Sequence, residues 1–371
     1  MVVGVPKELK DQETRVALTP AGVKSLVDLG HAVLIENNAG ALSAFSNEEY
    51  VAAGASIYEH SAKLWADSQM VLKVKEPVEA EYANFRPDLT LFTYLHLAPL
   101  PGLTERLLRD KVTGIAYETV TGINKSLPLL TPMSEVAGRM SIQVGASYLE
   151  KGKGGRGLLL GGVPGVPPAK VCILGGGIVG TNAAKMALGM GADVTIVDLS
   201  LDRLRDLDDI FNGRVKTLAS SAYNVSKAVE QSELVIGAVL IPGKSAPRIL
   251  TAAMVKRMLP GSVIVDVAID QGGCIETARP TSHTNPSYVV DGVVHYCVTN
   301  MPAAVPNTST LALTNATFPF VAMLANLGPI PAIKHSTGLA EGLNTFQGSL
   351  ACEGVAQSQG KEWKSALELV A

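Results

Sequence analysis

Lys170-Val-Cys-Ile-Leu174-Gly175-Gly-Gly177-Ile-Val-Gly180, a helical stretch to about Met190, and then Asp193-Val-Thr-Ile-Val-Asp198 decide the fold of this 371-residue chain. An apolar strand runs into Gly175-x-Gly177-x-x-Gly180, the turn opens a helix, and a second strand ends in a carboxylate. Gly175 permits the tight turn, Gly177 lets backbone N–H groups approach a pyrophosphate at the helix N-terminus, and Gly180 lets the helix pack close to the strand. Asp198 follows Gly180 by 18 positions, close to where an acid receives the ribose hydroxyls. A glycine-rich turn alone marks only a βα connection, whereas the strand, turn, helix, strand and acid in this order predict a dinucleotide site. The acid at 198 favours NAD over NADP, because a 2′-phosphate would meet like charge; Arg203 is the one nearby cation that argues the other way.

Composition bounds the rest. A chain of this length predicts two domains, and 47% hydrophobic residues suffice to bury both cores. With a net charge of −3 and interspersed acids and bases, nothing favours nucleic acid or an anionic membrane surface. No uninterrupted apolar run is long enough to cross a membrane, and the N-terminal residues carry no leader pattern. Cys172, Cys274, Cys297 and Cys352 lie far apart with no ligand spacing, so no metal is expected and the thiols read as reduced in a cytoplasmic protein.

Outward from the glycine-rich turn, the first third alternates short apolar strands (2–5, 32–36, 70–74, 89–95, 114–117) with amphipathic helices. Thr19-Pro20 starts one helix, and Asn47 with Gly54 brackets another. From Thr131-Pro132 a helix runs to about Lys151. Strands at 171–174, 194–197, 214–218, 234–237, 262–266 and 293–298 complete one doubly wound dinucleotide domain. Residues 309–326 read as one long helix despite Pro319, and 338–371 read as helical with too little apolar surface to fold alone. The expectation is therefore an α/β protein of two doubly wound, Rossmann-like domains with a cleft between them. A discontinuous substrate domain takes residues 1–130 and 306–371, and an NAD-binding domain takes 131–305.

Side chains suited to chemistry stand at strand ends. Lys75 follows the strand ending at Val74, His96 closes Phe92-Thr-Tyr-Leu-His, and Arg15 lies in the polar loop after the first strand. Singly, each reads as easily as a solvated charge or a satisfied core histidine; together they converge on one sheet edge. Asp270 lies beyond the strand 262–266 and is equally a turn-former before Gly272-Gly273. Asn300 can hydrogen-bond a carboxamide or ribose. Ser134 suits either a helix cap or a ligand contact.

Gly4-Val-Pro-Lys-Glu, Glu13-Thr-Arg15-Val-Ala-Leu-Thr-Pro, Lys73-Val-Lys75-Glu-Pro, Tyr94-Leu-His96-Leu-Ala, Leu174-Gly-Gly-Gly-Ile-Val-Gly180 and Val267-Ala-Ile-Asp270-Gln-Gly-Gly closely resemble the NAD-dependent L-alanine dehydrogenases, in order and over the whole chain. The resemblance implies reversible oxidative deamination of L-alanine to pyruvate and ammonium, with Arg15 pairing the substrate carboxylate and Lys75 polarising the keto or imino group. Tyr94 would line the substrate, His96 would be the acid/base and Asp270 its companion across the cleft. The cofactor contacts it implies are Ser134, Gly177, Asp198, Arg203, Ser220, Val239, Leu240, Ile269, Asp270, Asn300 and Met301. It also implies an oligomer, commonly a hexamer.

Two other readings compete. The soluble NAD-binding subunit of a proton-translocating transhydrogenase shares the fold but carries an Arg-Gln-Asp loop that Thr121–Pro132 lacks. A non-enzymatic NAD-sensing protein leaves Lys75, His96 and Asp270 at strand ends without a reason. Lysine- and saccharopine-forming dehydrogenases are a weaker match.

Overall fold

The computed structural model describes residues 1–239 and 246–371. Its strands in chain order are β1 (Val2–Val5), β2 (Ala32–Glu36), β3 (Ser56–Tyr58), β4 (Met70–Leu72), β5 (Thr90–Thr93), β6 (Thr113–Ala116), β7 (Lys170–Leu174) and β8 (Asp193–Asp198). There follow β9 (Lys216–Ala219), β10 (Leu234–Gly237), β11 (Val263–Asp266), β12 (Ser287–Val290), β13 (Val293–Tyr296), β14 (Leu343–Phe346) and β15 (Ser349–Leu350). The chain divides into two compact units, Met1–Met133 with Ala303–Ala371, and Ser134–Pro302.

In the first unit one sheet has the order β15-β14-β6-β5-β4-β1-β2-β3. From β6 to β3 every pairing is parallel, and the winding reverses between β1 and β4. Helices Pro20–Asp28, Ser61–Asp67 and Pro101–Arg109 provide crossovers. The first starts as expected: Thr19 Oγ1 accepts from the Gly22 N–H, and Pro20 takes the first helical position, where no donor is missed. Ser46, rather than Asn47, caps the helix Asn47–Ala52, because Ser46 and Glu49 form a reciprocal capping box. Leu64, Trp65, Val71, Leu89, Leu91 and Leu107 form the core of one face together with Leu350 and Val355 from the returning segment.

That returning segment departs from the sequence expectation. Residues 343–350 are not helical: β14 and β15 form a hairpin, and β14 pairs antiparallel with β6. Gln347 and Gly348 both have positive φ (46° and 84°), the geometry of a two-residue hairpin turn that matches strand twist. A Gln-Gly turn lacks the Asn-Gly or Asp-Gly signal by which such hairpins are read. Helix Pro306–Leu327 accommodates Pro319. It has the length and composition of a membrane span, yet Ser309, Thr310, Thr314 and Thr317 are buried alongside Leu313, Val321 and Leu324. Thr310 Oγ1 accepts from the Val16 N–H and bonds Ser43 Oγ. A helix whose buried face carries hydroxyls paired within its own unit is a core helix.

The second unit's sheet has the order β12-β13-β11-β10-β7-β8-β9, all parallel except the edge strand β12. This is the doubly wound dinucleotide fold with the reversal between β7 and β10. β12 was not anticipated, since Tyr288-Val-Val sits in a polar surround; only Val289 of it is exposed. The helix begun at Thr131 ends at Tyr148, short of the expected Lys151.

Beneath the first sheet's reversal lies a buried ionic triad. Lys73 Nζ stands 3.1 Å from Glu8 Oε2 and 2.9 Å from Glu81 Oε1, with all three side chains almost wholly inaccessible. Burial opposes the ammonium, but the two carboxylates hold its pKa above the ordinary value; burial also raises Glu8. Glu8 additionally accepts from the Val74 N–H at 2.6 Å, which ties the loop after β1 to the extension of β4. Lys73→Met should cost about 3–5 kcal/mol by stranding two buried carboxyls, with part recovered on adding Glu8→Gln and Glu81→Gln. Both tryptophans, Trp65 and Trp363, lie in the first unit. Urea unfolding followed by tryptophan fluorescence therefore checks it.

Candidate active site and dinucleotide cradle

Parallel strands release their carboxyl ends on one edge, and at a reversal of winding two neighbouring loops part to leave a crevice. In the first unit the loops at that reversal are those after β1 and β4. The first brings Lys10, Glu13 and Arg15, the second Lys75 and Glu76, and the loop after the adjacent β5 brings Tyr94 and His96.

Arg15 is 3% exposed and is held by Glu13 in a bidentate pair, Nε to Oε1 at 2.7 Å and Nη2 to Oε2 at 2.6 Å, while Nη1 faces Met133 Sδ at 2.9 Å. One edge of the guanidinium is thus fixed by protein, which orients the Nη1 side. Burial lowers the pKa of Lys75, and the neighbouring charges of Arg15 and Lys10 lower it further. Both effects disfavour the ammonium relative to the neutral amine. Tyr94 is buried, its hydroxyl donates to the Leu129 carbonyl at 2.6 Å, and its ring stacks beside the His96 imidazole at 5.7 Å. It therefore acts here as a wall rather than as a hydroxyl donor.

His96 has φ of 47°, a left-handed conformation uncommon outside glycine, asparagine and aspartate. Glu118 supports it: one carboxylate takes the N–H groups of both Leu95 and His96, the latter at 2.6 Å. Glu76 accepts from or shares a proton with His96 Nδ1 at 3.2 Å and also pairs with Lys10. Burial pushes the Glu76 carboxyl up, but the bonds from His96 and Lys10 prevail and bring it down to about 2. It is an anion throughout the neutral range. With Nδ1 bound to Glu76, the carboxylate fixes the imidazole's orientation. Glu13, Glu76 and Glu118 were not among the site residues read from the sequence. The only available signal was their adjacency to Arg15, Lys75 and the end of β6.

In the second unit the cradle is built at the β7/β10 reversal. Gly175 has φ of 103°, and a Cβ there would lie 2.7 Å from the Ala238 carbonyl oxygen; a Cβ on Gly180 would overlap the Gly175 carbonyl. Gly177, by contrast, faces open space and offers no side-chain cap to the helix Ile178–Gly189. The uncapped N-terminus and the empty volume above Gly177 fit a pyrophosphate. Asp198 ends β8, with Oδ2 accepting from the Gly176 N–H at 2.7 Å and Oδ1 from the Ser200 N–H at 2.8 Å. Arg203 lies across the turn, donating to the Gly176 carbonyl and to Thr181 Oγ1, both at 2.7 Å. Its guanidinium is a clamp on the glycine-rich loop.

The other residues read as cofactor contacts stand on the same edge. Ser220 follows β9 and donates its N–H to the Asp198 carbonyl; Val239 follows β10; Ile269 and Asp270 follow β11; Asn300 and Met301 follow β13. Asp270 is exposed, and its Oδ1 accepts from the Asn300 N–H at 3.3 Å, which joins two of these loops. Ser134 is the fourth residue of the helix Thr131–Tyr148 and so is not its cap. Gly138, one turn later on the same face, packs against the Val179 carbonyl at the start of the dinucleotide helix. Leu240 lies outside the described residues.

A glycine-rich cradle with an acid at the next strand, and a separate edge lined by Arg15, Lys75 and His96, define a two-domain nicotinamide-dependent enzyme. The models of the alanine dehydrogenase/PNT N-terminal and C-terminal domains match residues 4–137 and 141–353, and the chain belongs to that family. It is 57% identical over 359 residues to an alanine dehydrogenase of Methanococcus maripaludis, covering 96% of each chain. It is also 57% identical to an alanine dehydrogenase of Bacillus subtilis over 367 residues, covering 99% of this chain and 97% of that one. Among solved structures, an L-alanine dehydrogenase matches with a TM-score of 0.94 at 54% identity, over 97% of this chain and 99% of that one. A transhydrogenase from Sinorhizobium meliloti matches at 0.82 and 25%, over 95% and 99%.

The two glycines separate sharply by experiment. Gly180→Ala should force the loop off the helix and weaken dinucleotide binding by at least tenfold, whereas Gly177→Ala should leave the fold intact and affect binding only by crowding the ligand. Fluorescence titration with NADH, alongside a melting curve for each variant, reads the difference.

Proposed function

We propose that this protein is an NAD-dependent alanine dehydrogenase, converting L-alanine, NAD and water reversibly to pyruvate, ammonium, NADH and a proton. The observation that carries the reading is the convergence of Arg15, Lys75 and a Glu76-bound His96 at one reversal of winding. It supplies a fork for a carboxylate, a donor for a single oxygen and a proton acceptor. The similarity to proteins named alanine dehydrogenase supports the same substrate. The enzyme takes NAD, held over Gly175–Gly180 with its ribose on Asp198, and assembles as a hexamer as the resemblance implies.

When bound, the nicotinamide accepts the hydride from Cα. Arg15, oriented by Glu13, meets the substrate carboxylate. Lys75 hydrogen-bonds the keto oxygen in the reductive direction; its lowered pKa reduces the cation's penalty on the iminium formed in the oxidative one. Water adds to that iminium with loss of a proton to His96 Nε2, giving a carbinolamine. His96 then moves the proton needed for ammonia to leave, while Glu76 holds Nδ1 and keeps the ring in place. Asp270 supplies the negative charge that offsets the iminium. The role of Asp198 is selection, since its carboxylate repels a 2′-phosphate.

His96→Ala should lower kcat roughly 10²- to 10⁴-fold, the range for losing a positioned acid/base, and Asp270→Asn should also be severe because shape is kept and charge lost. NADH formation from L-alanine at alkaline pH measures both; near-wild-type turnover in His96→Ala would remove His96 from the proton path. For the cofactor, kcat/KM with NAD should far exceed that with NADP, and Asp198→Ser should narrow the gap. Comparable values for the two cofactors in the wild type would contradict the assignment.

A further inference from the structure

The loop that carries Asp270 is organised from below. Asp266, the last residue of β11, is fully buried, and its two oxygens reach both ends of the loop that follows. Oδ1 accepts from the Ala268 N–H at 3.0 Å and lies 3.6 Å from Cys274 Sγ, and Oδ2 accepts from the Cys274 N–H at 3.1 Å. Between these anchors the backbone makes a short 3₁₀ turn, Val267–Gln271, and leaves through Gly272 and Gly273, both at positive φ. Ile269 and Asp270 sit within this span. On the other side β10 comes close enough that a Cβ on Gly237 would lie 2.6 Å from Asp266 Oδ1. The carboxylate is thus wedged between strand and loop, with no room to turn away.

We propose that Asp266 is a positioning residue in the second unit: its carboxylate ties Ala268 and Cys274 together and thereby holds Asp270 in its working place. The inference rests on the assignment of Asp270 above. The groups that face Asp266 are these backbone amides, that of Ile275, and the thiols of Cys274 and Cys297, which burial keeps protonated, Cys297 up to about 11. Burial raises the Asp266 carboxyl to about 6 in spite of the bonds from Ala268 and Cys274. Once protonated, it presents an O–H where the loop presents N–H groups, and one anchor is lost. A carboxyl whose folded pKa lies above its unfolded value makes the fold more stable, not less, as pH falls through that range. Acid loss of activity near pH 6 from this cause therefore comes without unfolding.

A double-mutant cycle tests the proposal on the full-length enzyme. Asp266→Asn keeps the shape but puts an amide NH₂ against one N–H, and kcat for L-alanine should fall roughly 10- to 100-fold, the cost of about an ångström of misplacement. If Asp266 acts through Asp270, the double variant with Asp270→Asn should be no slower than Asp270→Asn alone. Additive losses would overturn the proposal, as would an Asp266→Asn enzyme with wild-type kcat. Should Asp270→Asn itself be harmless, the failure belongs to the assignment of Asp270 and takes this inference with it. Hydrogen exchange on the wild type covers the case in which the variant does not fold. Protection of the Ala268 and Cys274 amides should drop between pH 7 and pH 5 while that of Val263–Val265 persists, and unchanged protection at both amides would refute the proposal.

Discussion

Parallel pairing is the constraint from which the functional architecture follows. A parallel sheet sends every strand in the same direction, so all connections that leave carboxyl ends share one edge, and the reversal of winding parts two of them. Residues 80 or more apart in the chain, such as Arg15 and His96, are brought to one edge by β1, β4 and β5 with no dedicated scaffold. The second unit repeats the device, so that Asp198 ends its strand and Gly175, Ser220, Val239, Asp270 and Asn300 follow theirs. Lys75, His96, Asp270 and Asn300 each lie only a few positions beyond a strand, whereas Arg15 stands ten beyond β1 and is fixed by its pair with Glu13.

What holds these groups in place is a set of carboxylates, from the same loop for Arg15 and from other segments for His96. Glu13 grips Arg15, Glu76 stands between Lys10 and His96, and Glu118 supports the backbone at His96. Lys73 is buried on its own pair, Glu8 and Glu81. Breaking such a pair costs more than forming it gains, because the remaining charge stays buried. The value of these pairs is geometric: they turn flexible side chains into directed ones before any ligand arrives.

The α/β class and doubly wound sheets were legible because their signals are local: the glycine-rich turn between β7 and its helix, the alternation of apolar strands with amphipathic helices, and Thr19-Pro20 as a helix start. The candidate site was legible only in its cations, imidazole and Asp270, which announce themselves at strand ends. Glu76 and Glu118 were missed because their meaning lies in partners 20 and 22 positions away, across strands. Ser134 read as a possible cap although the helix start at Thr131 was placed correctly; it lies three residues inside that start, past the cap position. The hairpin at 343–350 was missed because its turn, Gln347-Gly348, has no strong local preference, and its pairing with β6 is a tertiary choice that no window of sequence contains.

The hairpin's partner strand has a consequence for how the chain is made. Thr345 pairs with Gly114 across the entire second unit, and Leu350 and Val355 complete a core begun by Leu34 and Leu64. The second unit is continuous, Ser134–Pro302, and can close as soon as it leaves the ribosome; the first cannot, since its edge strand and its long helix are synthesised only afterwards. At roughly 5–20 residues per second, the 133 residues made first wait on the order of ten seconds or more with an open sheet edge beside β6. An unpaired edge invites pairing with other chains. Nascent copies crowded on one message are thus most exposed to misassembly during that interval, and slow translation through residues 134–302 would lengthen it.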